Sequence, residues 1–231
     1  MENERLPMTD VQNSTESKFI KPPFYMAIAG NIGVGKTTMT ERLGARFNLK
    51  TYFERVIDNP YLDEFYHDMH RWSFNLQVFF LSNRFRDQQV ISASPVPCIQ
   101  DRTIYEDAEI FAYILHRQGF MSDRDYENYC ELFDIMTQFL RKPDLIVYLK
   151  ASAWTLISRI RKRGREYEKK ITTDYLYDLN QAYDRWIEKC KDQCNVLEID
   201  ADRLDLDRHP QLINEVYDQV KVCIDQYHSG N

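Results

Sequence analysis

No run in this 231-residue sequence approaches the roughly 20 apolar positions that a membrane helix needs, and the first twenty residues are polar, with Glu2, Glu4, Asp10 and Glu16 among them. A membrane span is not expected, and neither a secretory leader nor an acid-poor transit peptide has this composition. An excess of positive charge is also missing. Lys and Arg number 30 against 36 Asp and Glu, a formal net charge of −6, which argues against duplex nucleic acid or an anionic membrane as a partner. The five cysteines, Cys98, Cys130, Cys190, Cys194 and Cys223, form an odd set with no CxxC pair. Neither a disulfide framework nor a zinc site is expected, and a reducing, cytoplasmic setting is. Internal repeats and low-complexity tracts are absent, which sets solenoids and arrays aside. Glycine is scarce, at 7 in the whole chain, yet three fall between Gly30 and Gly35. Such clustering asks for a backbone reason.

What is present is a globular composition. Hydrophobic residues make up 43% and charged residues 29%, enough to bury a core and too apolar for wholesale disorder. Residues 1–23 lack hydrophobic periodicity and end in Pro22-Pro23, so they read as a flexible polar tail before one domain spanning 24–231. From there short apolar runs alternate with long amphipathic stretches, the pattern of parallel strands joined by crossover helices. Strands are expected at Phe24–Ala29, Lys50–Phe53, Val96–Gln100, Asp144–Leu149 and Asn195–Ile199. Helices are expected near Lys36–Phe47, Pro60–His70, Trp72–Val90, Tyr105–Gln118, Asp123–Leu140, Ala153–Arg163, Thr172–Lys191 and Pro210–Tyr227. The fold class is α/β.

Gly30-Asn31-Ile32-Gly33-Val34-Gly35-Lys36-Thr37, followed by Thr38, fits GxxxxGK[ST] between an apolar run and a helical pattern. Glycines let the chain wrap closely around phosphate oxygens, so that backbone N–H groups and the positive end of the next helix converge on the anion. Lys36 is then expected to reach the β- and γ-phosphates, and Thr37 to ligate Mg²⁺. No DxxG turn and no NKxD string occurs, against a GTPase switch. The third strand runs into Asp101-Arg102 rather than closing four apolar residues on Asp-Glu, against a mechanical ATPase. Phosphoryl transfer to a small acceptor is the class that remains.

Such transfer needs in-line positioning, neutralisation of the phosphoryl oxygens and an acceptor for the hydroxyl proton. Glu54 ends the second strand at the carboxyl edge, where open α/β sheets bind ligands, and is the candidate general base. Asp101 and Arg102 end the third strand at the same edge. The aspartate can hold Mg²⁺ or its waters; the arginine can stabilise the transferring phosphate or orient Glu54. A surface ion pair explains any one such residue equally well, but two successive strand ends favour chemistry. Arg159 and Arg163 share a helix face, and Gly164 ends that helix and frees Arg165, so residues 159–171 read as a short arginine-rich lid rather than a solvated basic stripe or an RNA patch.

These motifs, together with Trp72-Ser73-Phe74-Asn75-Leu76-Gln77, Asp101-Arg102-Thr103-Ile104-Tyr105-Glu106-Asp107 and Arg163-Gly164-Arg165-Glu166-Tyr167-Glu168, resemble the deoxyribonucleoside kinase family, nearest its deoxyguanosine, deoxyadenosine and deoxycytidine kinases. The resemblance spans about residues 24–205. It implies a P-loop kinase fold with a five-stranded parallel sheet wrapped by helices, and transfer of the γ-phosphate of ATP to the 5′-hydroxyl of a deoxynucleoside. It further implies Glu54 as base, Arg102 beside that base, Asp101 near magnesium, and Tyr66 with Glu168 on the sugar 3′-hydroxyl. Gln77 is implied on the base edge, Arg159, Arg163 and Arg165 in the lid, and Asp200, Ala201 and Asp202 beside the donor's base. Arg55 departs from the pattern, since the family commonly follows its base with Glu-Pro, and here Asn59-Pro60 comes later; Thr103 replaces a frequent serine.

A glutamine amide suits purine and pyrimidine edges alike, so Gln77 alone does not discriminate. Arg84 lies two helical turns beyond it and is expected to point into the same cavity, paired with Asp107. In the family such a pair accompanies purine and cytosine substrates, because a thymine methyl collides with it. Deoxyadenosine or deoxyguanosine is therefore expected first, deoxycytidine next and thymidine least. His67 and His70 lack a third metal ligand; Cys190 and Cys194 read as packing residues. The apolar stretches around Leu76–Phe85 and Tyr126–Phe139, with the resemblance, suggest a homodimer. Two other readings are weighed: a monophosphate kinase such as thymidylate kinase, which needs further cations for the acceptor's phosphate, and a non-catalytic nucleotide-binding regulator, which has no use for a positioned base.

Overall fold

The computed structural model describes residues 23–54, 59–206 and 208–230. All but the last residue of the expected tail, and Arg55 with its departure from the family pattern, lie outside the described residues. Five strands, β1 (Tyr25–Gly30), β2 (Lys50–Tyr52), β3 (Cys98–Asp101), β4 (Leu145–Lys150) and β5 (Asn195–Asp200), form one parallel sheet in the order β2-β3-β1-β4-β5. β1 is buried along its whole length and β4 along all but its last residue, whereas β2 and β5 at the edges are partly exposed. Continuous apolar runs in the centre and mixed ones at the edges follow from helices covering both faces. β1 leads to one side of the sheet and β3 crosses to the other, so a crevice opens at their carboxyl ends.

The helices are α1 (Lys36–Phe47), α2 (Leu62–His67), α3 (Met69–Ser92), α4 (Ile104–Glu106), α5 (Tyr113–Arg117), α6 (Asp123–Thr137), α7 (Ala153–Arg163), α8 (Thr173–Lys191) and α9 (Ile213–Ser229). Short 3₁₀ turns occupy Glu166–Lys170 and Pro210–Leu212. α1 and α7 have the expected bounds. Ser152 starts α7, its Oγ accepting from the Thr155 N–H at 3.3 Å, and Gly164 at φ 72° ends it. The left-handed backbone at that position is one glycine adopts without strain. Three cations, Arg161, Lys162 and Arg163, lie in its last turn, where the helix dipole favours them.

Most other bounds move by one to three residues, the break between α2 and α3 falling at Asp68, and three shifts change a reading. Asp144 is not the first residue of β4: its carboxylate accepts from the Tyr25 N–H at 2.8 Å and pairs with Arg141, tying off the sheet's lower edge. Phe53 leaves the second strand and stands 40% exposed at the mouth of the crevice. The helix expected over Tyr105–Gln118 is split by a π-helical stretch, Asp107–Ala112, between α4 and α5. That wider turn carries Asp107 and Phe111 to the cavity wall, and such turns recur at functional sites.

Two cores result. One lies between the sheet and α1, α7, α8 and α9, with Ile28, Leu43, Val147, Leu156 and Leu179 fully or nearly fully buried. The other joins α2, α3, α4, the π stretch, α5 and α6 through Phe65, Leu76, Leu81, Ile104, Leu115 and Tyr129. The crevice lies where they meet. One wall is the sheet end with its glycine-rich loop; the other is a helical cap.

Candidate active site

The loop after β1 needs glycine for two physical reasons. Gly30 has φ 144°, and a Cβ there would lie 2.6 Å from the Leu149 carbonyl oxygen; Gly35, at φ 106°, turns the chain into α1. Lys36 is buried and its Nζ donates to the Asn31 carbonyl at 3.1 Å, so the side chain curls back over the loop. Burial, reinforced by the nearby Arg102, lowers its pKa to about 8. An arriving polyphosphate would restore the full charge. Thr37 Oγ1 donates to Asp101 Oδ2 at 2.7 Å, joining the loop to the end of β3.

Asp101 is 1% exposed, and its Oδ1 has no hydrogen-bond partner among the described residues. An orphaned carboxylate oxygen beside a hydroxyl, both hard donors, at the foot of a phosphate loop fits Mg²⁺.

Glu54 lies inward at the end of β2. Its Oε1 pairs with Arg84 Nη2 through a short contact and with Arg102 Nε at 3.3 Å. Burial alone would raise its pKa, but Arg102, Arg84 and Lys36 outweigh burial and hold it at about 2. The carboxyl is thus ionised throughout the physiological range. Arg102 sits at φ 66°, an uncommon conformation for a side chain of its size, which costs about 1–3 kcal/mol and persists only where its surroundings enforce it. Those surroundings are its N–H bond to the Ile28 carbonyl at 3.1 Å, its Nη1 bond to the Tyr183 hydroxyl at 3.1 Å and the Phe111 ring 4.3 Å below its guanidinium.

Beyond these groups extends a cavity of about 480 Å³, a size that suits a small organic ligand. It is lined by the charged and polar Lys36, Thr37, Thr38, Glu54, Asp101, Arg102 and Asp107, by Leu62, Phe65, Tyr66, Leu76, Gln77 and Phe80, and by Arg163, Arg165, Tyr167, Glu168 and Tyr175. Gln77 is 3% exposed and its Oε1 has no partner among the described residues, a polar edge inside an apolar pocket. Burial first, then Tyr175 and Glu168, raises the pKa of Tyr66 well above the usual phenol value, so it is a hydrogen-bond donor near the Glu168 carboxylate.

Two expected residues stand differently from the sequence reading. Arg84 does not line this cavity. It lies behind the wall, its Nε on Asp107 Oδ2 at 3.1 Å, its Nη1 on the Asp101 carbonyl at 3.4 Å and its Nη2 on Glu54. The side chain follows available anions, and three of its neighbours are oxygen acceptors. Burial, with Glu54 and Glu106 adding to it, raises Asp107 to about 6 even with Arg84 and Arg102 alongside. Arg159 is likewise no free finger: its guanidinium donates to the Val34 carbonyl at 2.8 Å, to Ala201 at 2.8 Å and to Leu204 at 3.0 Å. It ties the phosphate loop to the stretch after β5. There Asp202 accepts from the Ser152 N–H at 3.0 Å, and Asp200 pairs with Arg203. Asp200, Ala201 and Asp202 lie beside the loop but outside the cavity. Arg163 and Arg165 reach it with their charges on buried Glu168, at 2.6 and 3.5 Å.

Sequence reasoning passed over Phe111, Tyr175, Glu106 and Tyr183. Glu106 had a readable signal, since Thr103-x-x-Glu106 is a capping box, and its Oε2 does accept from the Thr103 N–H at 2.8 Å. Tyr183 had none, its contact with Arg102 bridging 81 positions of sequence.

Comparison with known proteins agrees with this geometry. Residues 26–225 match the family described as deoxynucleoside kinase. A deoxyadenosine kinase of Dictyostelium discoideum is 40% identical over 198 residues, 85% of this chain and 80% of its own. A deoxyadenosine/deoxycytidine kinase of Bacillus subtilis is 39% identical over 201 residues, 86% of this chain and 92% of its own. The solved structure of a deoxyadenosine kinase from M. mycoides with bound dATP superimposes with a TM-score of 0.74 at 28% identity, covering 84% of this chain and 99% of that one.

Proposed function

The chain belongs to the deoxynucleoside kinase family and phosphorylates deoxynucleosides with ATP as donor, and on that basis we propose transfer of the γ-phosphate to the 5′-hydroxyl, with purine deoxynucleosides preferred. The observation that carries the reading is the ionised Glu54, held between Arg84 and Arg102 at the end of the cavity nearest Lys36. A carboxylate of such low proton affinity accepts a hydrogen bond from the hydroxyl at rest. It takes the proton only as the bond to phosphorus forms, in keeping with a loose transition state.

The other roles follow from position. The sugar's 3′-hydroxyl meets Tyr66 and Glu168, and the base edge meets Gln77 and Asp107 between Leu76 and Phe80. Lys36, Arg102, Arg163 and Arg165 supply positive charge around the transferring group. Thr37 and Asp101 would hold Mg²⁺, which when bound offsets the charge of the phosphate oxygens. Residues 159–171 act as a lid, anchored by Arg159 and carrying the two arginines now on Glu168. The names of the two relatives support adenine first, with cytosine next.

The test is ATP-dependent phosphorylation of the four deoxynucleosides and of thymidylate. Deoxyadenosine and deoxyguanosine should have the highest kcat/KM and thymidine the lowest; turnover of thymidylate alone would overturn the reading. We extend the proposal to a homodimer in a reducing, cytoplasmic setting. All five cysteines are free thiols, and Ile135 and Phe139 in and just after α6, with Val90 on α3, are large apolar residues 52, 71 and 52% exposed. Light scattering should give twice the 27.7 kDa chain mass; a monomer at every concentration would contradict the dimer.

A further inference from the structure

Behind Arg102 lies a buried polar cluster that the roles above leave unused. Tyr183, from α8, is fully buried and its hydroxyl touches three groups. It accepts from Arg102 Nη1 at 3.1 Å, and its single proton faces the Gly30 carbonyl and Glu106 Oε1, each at 2.9 Å. Glu106 Oε1 in turn accepts from the Gly30 N–H at 3.3 Å. The first residue of the phosphate loop is therefore gripped at both its amide and its carbonyl. The grip comes from the same cluster that holds the guanidinium of Arg102. Next to it, Asn31 Nδ2 donates to the Leu176 carbonyl at 2.9 Å and to Asn180 Oδ1 at 2.8 Å, so α8 meets the loop at consecutive residues.

We propose that Tyr183 is a positioning residue for phosphoryl transfer: its hydroxyl fixes the Arg102 guanidinium relative to Gly30, holding the acceptor side of the site in register with the donor loop. The proposal rests on the role given above to Arg102. Arg102 leaves β3 at φ 66°, and its other side-chain contacts, Glu54 and the Phe111 ring, both belong to the cavity wall; Tyr183 is the one that ties the guanidinium to the phosphate loop. The ring's packing is a separate matter. It stacks on Tyr148 with centroids 5.7 Å apart and 17° between planes, and meets Phe111 edge-on at 6.5 Å. Phenylalanine would keep both contacts and lose only the hydroxyl.

Tyr183→Phe should therefore lower kcat by about 10- to 100-fold, with KM for deoxyadenosine and for ATP unchanged within about threefold, as expected when a hydrogen bond to a charged group that matters in the transition state is lost. In an Arg102→Ala background the same substitution should add nothing, because the group it positions is gone. A fall in melting temperature with kcat per folded molecule intact, or losses that multiply in the double variant, would overturn the proposal. Should Tyr183→Phe not accumulate as folded protein, Glu106→Asp, which withdraws the carboxylate from the same hydroxyl, is read by the same kcat and KM criteria. Arg102→Ala alone separates the two levels. If it leaves kcat unchanged, the role of Arg102 fails; if it costs activity and Tyr183→Phe does not, only the positioning role fails.

Discussion

Glu54→Gln is expected to lower kcat by about 10²- to 10⁴-fold, the usual worth of a positioned proton acceptor, while deoxyadenosine still binds. The amide keeps the shape of the side chain and can still accept from Arg102 or Arg84, so the cavity is not expected to collapse. What it loses is the charge those two arginines are arranged around. Removing one member of a buried ionic cluster leaves the others uncompensated, at about 3–5 kcal/mol when the remaining charge has no other partner. Here that cost is moderated, since Arg84 retains Asp107 and Arg102 retains the Tyr183 hydroxyl. Steady-state turnover and calorimetric titration of the same preparation make the check. Turnover within threefold of the unmodified protein would remove Glu54 from the mechanism.

The second large effect concerns the base. Arg84→Met with Asp107→Ala should raise the ratio of thymidine to deoxyadenosine kcat/KM by about 10- to 200-fold, the range one methyl group commands in a fitted pocket. The pair is removed together for a physical reason. Asp107 lines the cavity, and Arg84 behind it serves both Asp107 and Glu54. Taking Arg84 alone would leave two carboxylates without their shared cation, whereas apolar replacement of a buried pair is often close to neutral. The double variant should also change the pH profile. Without Arg84 the carboxyl of Glu54 rises from about 2 toward the ordinary carboxylate range. Its ionised form is the active one, so the acid limb of kcat/KM moves to higher pH. An unchanged substrate ratio across a panel of deoxynucleosides would mean that Asp107 does not face the base.

Much of this site was legible from spacing alone. The glycine cluster with Lys36 and Thr37, and the carboxylates at the ends of two strands, follow from rules about where a parallel sheet binds ligands, and all meet in one cavity. The pairing of Arg84 with Asp107 was readable because a buried guanidinium needs an anion. Its second partner, Glu54, was not, because helical periodicity gives the face of a side chain and not which of three nearby oxygens it reaches. Arg159 illustrates the same limit: a basic helix face reads as a row of free charges, yet three backbone carbonyls absorb one of them. The split helix after β3 escaped because a π turn keeps helical composition while shifting the side chains that follow it. Tyr183 escaped because its neighbours come from β1, the residue after β3 and α4, a meeting only the folded topology creates.

The most direct test of Glu54 as the base is a crystal structure of the protein with deoxyadenosine bound. The 5′-oxygen should lie within hydrogen-bond reach of Glu54, about 2.6–3.2 Å, with the 3′-oxygen on Tyr66 and Glu168 and the adenine edge on Gln77. A nucleoside seated with its 5′ end away from Glu54, or a Glu54 carboxylate turned out of the cavity, would contradict it.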